Sequence, residues 1–273
     1  MGLMMKNVKM MAVAAATFAA LSTGAAQAEQ FYGFSNMSVN YLDWTAKAEE
    51  RSNGGYGGAK EDFVYLEIEG GAGYSWGDVY GFVDLENPEN INKSERDFSG
   101  NPVTDSFRIA AKGSIAANIG SSNWNVYSHL YSLTVAGEGF FDQNLVVGVS
   151  YDVFTDSGFW IKPFLGVHYE NQTFAGSGFN GYMAGWVLGY NFELGGQKFM
   201  VTNWHETEFA REDQFRGNGT QYTLKSTGQN GAVSLWWNAT QELTFGLQYR
   251  YADHKLGTAA YHDAAIFTAK YNF

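Results

Sequence analysis

Cysteine is absent from the 273 residues. No disulfide can close this fold, although small exported domains commonly rely on them. Proline is scarce, with three in the whole chain. A proline cannot donate to a sheet ladder, so its scarcity suits an extensive, closed sheet. Beyond residue 28, no stretch reaches the 18 consecutive apolar residues that mark a membrane-spanning helix. Basic residues are few, 17 Lys and Arg against 28 Asp and Glu. Nucleic-acid binding needs phosphate contacts from Lys and Arg, and an acidic chain argues against it. What is abundant is glycine, at 33 residues, together with 17% aromatics. Disordered or collagen-like chains rich in glycine lack such aromatics.

The N-terminus has the make-up of a secretory leader. Lys6 and Lys9 supply a positive start, Met10 to Leu21 an apolar stretch too short to span a bilayer, and Ala26-Gln27-Ala28 a small-x-small cleavage site. Residues 1–28 are expected to be a cleaved signal peptide and residues 29–273 a single domain, without linker or low-complexity run. The leader holds two of the 17 basic residues and none of the 28 acidic ones, so the remainder carries 15 against 28, or −13.

Period-two alternation dominates that remainder. Near the C-terminus, Leu243, Phe245, Leu247, Tyr249 and Tyr251 alternate with Thr244, Gly246, Gln248, Arg250 and Ala252. Such a strand has one dry face and one wet face. Leu145 to Val153, Tyr182 to Phe192, Val64 to Ile68, Val79 to Leu85 and Phe107 to Ala111 repeat the pattern. Trp and Tyr recur at the ends of the apolar faces (Trp44, Trp76, Trp124, Trp160, Trp186, Trp237, Tyr190, Tyr251), as interfacial girdles require. Twelve strands are expected, near 32–45, 61–71, 76–87, 105–117, 124–136, 143–154, 159–171, 180–193, 197–208, 229–238, 242–254 and 260–273. Long polar connections fall near 46–60, 88–104 and 209–228, and tight ones alternate with them. These features predict an all-β fold, a transmembrane antiparallel up-and-down β-barrel in the outer membrane of a Gram-negative bacterium. Pro163 fits poorly, because it falls inside a strand with no free edge. The last strand ends Ala265, Phe267, Ala269, Tyr271, Phe273, and a terminal aromatic of this kind resembles the signal read by the outer-membrane assembly machinery.

Chemistry-bearing motifs are weak. The five histidines, His129, His168, His205, His254 and His262, have no zinc spacing. Asp253-His254 and His262-Asp263 read as solvated polar pairs rather than catalytic ones. Gly54-Gly55 and Gly57-Gly58 precede no helix, which excludes a phosphate loop. No enzyme activity, cofactor or metal is expected. The informative cluster points inward. Tyr65, Glu67 and Glu69 share one strand, Tyr80, Phe82, Asp84 and Glu86 the next, Arg108 and Lys112 the third, and Arg250 lies on the wet face near the end. Aromatic rings offer stacking faces, and neighbouring charges offer donors and acceptors. The same residues could instead brace the wall. Twelve strands lie between the filled eight-stranded barrel and the open porins, so a narrow, solute-selecting pore is expected.

Several stretches resemble the Tsx-like family of nucleoside-specific channel-forming outer-membrane proteins: Ser38-Val39-Asn40-Tyr41-Leu42-Asp43-Trp44, Tyr65-Leu66-Glu67, Asp78-Val79-Tyr80-Gly81-Phe82-Val83-Asp84, Thr202-Asn203-Trp204 and Tyr271-Asn272-Phe273. They fall in order along residues 29–273, while 140–195 matches in pattern alone. The resemblance implies a monomeric twelve-stranded barrel that passes nucleosides, sits among outer-membrane lipids and lipopolysaccharide, and is open to use by phage. The residues themselves leave three alternatives. They are a general small-solute or cation-preferring pore, a surface receptor or adhesion barrel with a plugged lumen, and a barrel enzyme.

Overall fold

The alternation closes into a ring. The computed structural model describes residues 29–52, 60–90, 106–135, 139–217 and 223–273. The leader and the paired glycines of 54–58 lie outside them. The strands are β1 (Gln30–Trp44), β2 (Phe63–Tyr74), β3 (Gly77–Glu86), β4 (Arg108–Asn118), β5 (Trp124–Val135), β6 (Phe140–Tyr151), β7 (Val153–Phe154), β8 (Phe159–Gln172), β9 (Gly176–Leu194), β10 (Gln197–Phe209), β11 (Gly228–Asn238), β12 (Leu243–Lys255) and β13 (Thr258–Asn272). Each long strand pairs antiparallel with its neighbours in sequence, β6 passes directly to β8, and β1 pairs with β13 from Asn36–Asn272 to Trp44–Ala264. The result is an all-β up-and-down barrel of twelve long strands with one two-residue addition.

The barrel is inside out relative to a soluble protein. Along β1, Ser38 and Asn40 face the interior at 1% and 2% exposure, while the alternating Met37 and Val39 are 48% and 53% exposed. Polar side chains fill the inner face, and Leu145, Val147, Leu165, Val233, Leu247 and Phe267 are among the apolar ones outside. Trp124, Trp237 and Tyr190 belong to the outer face, as a girdle requires. Trp44 and Trp160 do not. Trp44 packs inward with Leu42 and Ala264, and Trp160 shares the face of Lys162 and Phe164. On β10, Asn203, His205 and Thr207 face outward. They meet their own needs locally: Trp186 Nε1 donates to Asn203 Oδ1 at 2.7 Å, and His205 bonds Tyr251 Oη at 2.9 Å and Thr207 Oγ1 at 2.8 Å. Polar groups on a lipid-facing wall persist when satisfied in this way.

The mixture of glycine and aromatics has a geometric cause. Trp160 lies over Gly189, Phe164 over Gly185, Trp236 over Gly246, Phe34 over Gly71 and Tyr32 over Gly73. In every case the glycine is the ring's direct cross-strand partner. A Cβ on any of these glycines would sit 2.1–2.9 Å from a ring atom. The missing side chain lets the ring lie flat along the wall.

Pro163 is accommodated by the interruption between β6 and β7. β8 pairs with β6 as far as Phe164–Ser150 and with β7 from Ile161–Val153, so Pro163 faces the gap and no ladder bond needs its missing N–H. One end of the barrel has tight turns, among them Gly195-Gly196 with both φ positive (60° and 75°), the two-residue hairpin that glycine favours. The other end carries the longer connections, and the first of these is not only a loop. It contains a helix, α1 (Ala46–Ser52), where the sequence reading expected a polar connection.

Candidate functional site

At the loop end, α1 folds over the inner face of the ring. Thr45 caps it, its Oγ1 accepting from the Ala48 amide at 3.2 Å. Ala48 and Ser52 are fully buried. Ala48 packs with Leu42, Trp44, Phe63, Tyr65, Ala264 and Ile266, all of them inward-facing on β1, β2 and β13. Ser52 Oγ donates to the Ala48 carbonyl at 2.8 Å and accepts from the Lys60 amide at 2.8 Å. Lys60 Nζ donates to the Leu256 carbonyl at 2.9 Å and sits 5.5 Å from the Trp44 ring. Burial, reinforced by Arg108 and Arg250, lowers its pKa to about 8. Across the mouth, Phe215 is buried over Gly178, and the Glu212 amide donates to Asn180 Oδ1 at 3.0 Å. Two inward-folded segments therefore narrow this entrance.

Below the mouth, strand register places all nine sequence-predicted site residues on the inner face. On β2 and β3, Tyr65 opposes Glu86, and Glu67 opposes Asp84. Like charges placed opposite one another are unfavourable unless a proton, a cation or a donor lies between them. Tyr80 Oη donates to Glu69 Oε1 at 2.8 Å, and Glu69 also receives Lys270 at 2.9 Å and Asn36 at 3.1 Å. Phe34, Tyr80 and Phe82 form a run of rings with centroids 6.4 and 6.3 Å apart. On β4, Arg108 Nε donates to Glu86 Oε2 at 2.6 Å and lies 4.8 Å from the Phe63 ring. Arg250 on β12 stands over Trp204 at 5.9 Å. The buried Asp84 Oδ1 and Arg250 Nε have no hydrogen-bond partner among the described residues.

Lys112, read from the sequence as a luminal candidate, pairs with Glu206. Glu206 begins a chain along the opposite wall: Lys255 lies 3.6 Å from Glu206 and 2.6 Å from Glu208, and Arg211 lies 2.6 Å from Glu208. Nearer the turn end, Lys162 bonds Asp78 at 2.5 Å and Tyr32 Oη at 3.4 Å. Sequence reasoning missed Glu206, Glu208, Lys255, Lys162 and Trp204 as site residues. β10 reads Thr202-Asn203-Trp204-His205-Glu206-Thr207-Glu208, polar at both parities, so no dry face announced which residues turn inward. The signal for α1 was present in Thr45 followed by Glu49, a cap and a first-turn acid. The histidines form no catalytic array. His262 faces inward, whereas Asp263 bonds Thr45 and Tyr249 on the outer side. Among the described residues, no His, Asp and Glu grouping could hold a metal ion.

Residues 39–273 match the family described as "Nucleoside-specific channel-forming protein, Tsx". This chain belongs to that family. It is therefore a channel-forming protein of the outer membrane. In such barrels the short turns face the periplasm and the longer loops face outward, so α1 guards the external mouth. Among solved structures, an outer membrane channel from Pseudomonas putida F1 is similar at 10% identity and a TM-score of 0.46, covering 88% of this chain and 96% of that one. The outer membrane channel DcaP of Acinetobacter baumannii is similar at 11% identity and 0.38, over 89% and 96%. OmpF of Salmonella typhi is similar at 8% identity and 0.36, over 89% and 100%.

Proposed function

We propose that this Tsx-family channel passes nucleosides by passive diffusion along the β1–β4 wall, after export with residues 1–28 removed. The observation that carries this reading is the Phe34–Tyr80–Phe82 ring run beside the facing Glu67 and Asp84 carboxylates and the Arg250 guanidinium. A base stacks on the rings, ribose hydroxyls donate to Asp84 and Glu67, and base-edge acceptors face Arg250. Family membership supports the same solute class. Stacking on partly exposed rings is weak and repeated, and conduction needs such sites because a tight one would trap its solute. Phe273 is proposed to serve as the mark for assembly.

The test is planar-bilayer conductance of the purified barrel. Adenosine and thymidine are expected to block ionic current reversibly at micromolar to millimolar concentration. Tyr80→Ala and Phe82→Ala should each weaken block by roughly 5- to 150-fold, the range of ~1–3 kcal/mol per stacked base, with heat-modifiable gel migration unchanged. Current indifferent to both nucleosides would remove the nucleoside assignment while leaving the pore. Strong cation preference in that case would favour a cation-selecting pore, as the facing Glu67 and Asp84 would suit.

A further inference from the structure

Lys112 and Glu206 are not neighbours on the wall. From β4 to β10 the ring counts five strands in one direction and seven in the other, almost the farthest separation that twelve allow. Their side chains nevertheless meet as an ion pair. Twelve strands ~4.8 Å apart and tilted ~40° enclose a circle roughly 24 Å across. An extended lysine and glutamate joined by a hydrogen bond reach about 14 Å. The barrel is therefore narrowed along the β4–β10 line at this level, and this pair spans it; nearer the turn end Lys162 likewise crosses from β8 to Asp78 on β3 and Tyr32 on β1.

The two feet of the span differ. Glu206 is held through Lys255 to Glu208 and Arg211, and Arg211 is tied to the His254 carbonyl at 2.7 Å and the Lys225 carbonyl at 3.3 Å. Lys112 stands between Phe82 and Tyr131 in register, on a flexible four-carbon stem. We propose that Lys112–Glu206 is a strut across the lumen, with a fixed foot on β10 and a swinging arm on β4. The strut sets the largest solute the channel admits and makes these two residues specificity determinants. This depends on the protein being a channel, and not on nucleosides being its solute.

Single-channel recording of the full barrel in KCl tests it. Lys112→Ala should raise conductance about twofold or more and admit larger polyethylene glycols in polymer-exclusion measurements. Lys112→Met, which keeps bulk but not charge, should fall between Lys112→Ala and wild type. Heat-modifiable migration identifies folded variants. Raising KCl from ~0.1 M to ~1 M shortens the screening length from ~10 Å to ~3 Å. Wild-type conductance should then rise more than in proportion to salt, and that of Lys112→Met in proportion. Folded variants with wild-type conductance and polymer limit would overturn the strut. If neither variant folds, wild-type conductance proportional to salt would overturn it.

Discussion

The two broad walls of the lumen do different work with similar residue types. On β1–β4, Glu86 is tied to Arg108 and Glu69 to Tyr80 within the wall, and half-buried rings stand between them. On β10–β12, the charges are linked end to end from Glu206 through Lys255 and Glu208 to Arg211. The rings there are covered, Trp204 by Arg250 and Trp236 by Lys270 at 4.5 Å. A ring capped by a cation offers no free face to a solute. Among the described residues no cation forms an ion pair with Glu67 or Asp84, whereas Lys255 and Arg211 both hold Glu208. The first wall is suited to holding solute and the second to holding shape.

Three substitutions press on that contrast, in decreasing order of expected effect. Arg211→Ala leaves Glu208 buried with one cation fewer, and breaking a buried pair in this way costs ~3–5 kcal/mol. The midpoint of urea unfolding in detergent should fall accordingly. A change below ~1 kcal/mol would mean that the backbone ladder alone holds the second wall. Gly71→Ala places a Cβ 2.9 Å from the Phe34 ring and 3.1 Å from the Val79 carbonyl. Overpacking of this kind costs ~1–3 kcal/mol. It should also lift Phe34 off the first wall and weaken nucleoside block, and unaltered block would show that Phe34 takes no part in the solute path.

The smallest effect concerns Lys60 at the external mouth. Its pKa is about 8 in the folded protein and 10.5 ordinarily. Below pH 8 it is charged in both states. Between pH 8 and 10.5 the unfolded chain binds more protons, so stability should rise with pH across that window. Lys60→Met lacks this contribution. The wild-type unfolding midpoint should therefore climb relative to the variant's from pH 8 to 10.5, and parallel curves would place Lys60 in water.

The strands were legible because one face is dry and the other wet. Leu243 to Tyr251 and Leu145 to Val153 lie on the strands their alternation indicated. The inward set Tyr65, Glu67, Tyr80, Phe82, Asp84, Glu86, Arg108, Lys112 and Arg250 follows from the same parity. What parity does not carry is distance around the ring. Nothing in the local pattern of β4 indicates that Lys112 reaches β10, because that contact depends on the section of the closed barrel. The inward docking of α1 was illegible for a related reason. Its burial comes from folding back onto Leu42, Trp44 and Ile266, and a sequence of Lys, Glu and Arg around Ala48 reads as solvated until that surface is in place. Pro163 was read as a misfit and marks instead where β6 gives way to β7.

The flattened section has a consequence for how the channel can yield. Strand number and tilt fix the perimeter of the tube, and at fixed perimeter a circle encloses the greatest area. An oval barrel therefore keeps cross-sectional area in reserve. Rounding it breaks no backbone hydrogen bond and opens no seam to lipid, because every strand keeps both neighbours; only side-chain contacts have to let go. The aperture can grow while the wall stays sealed.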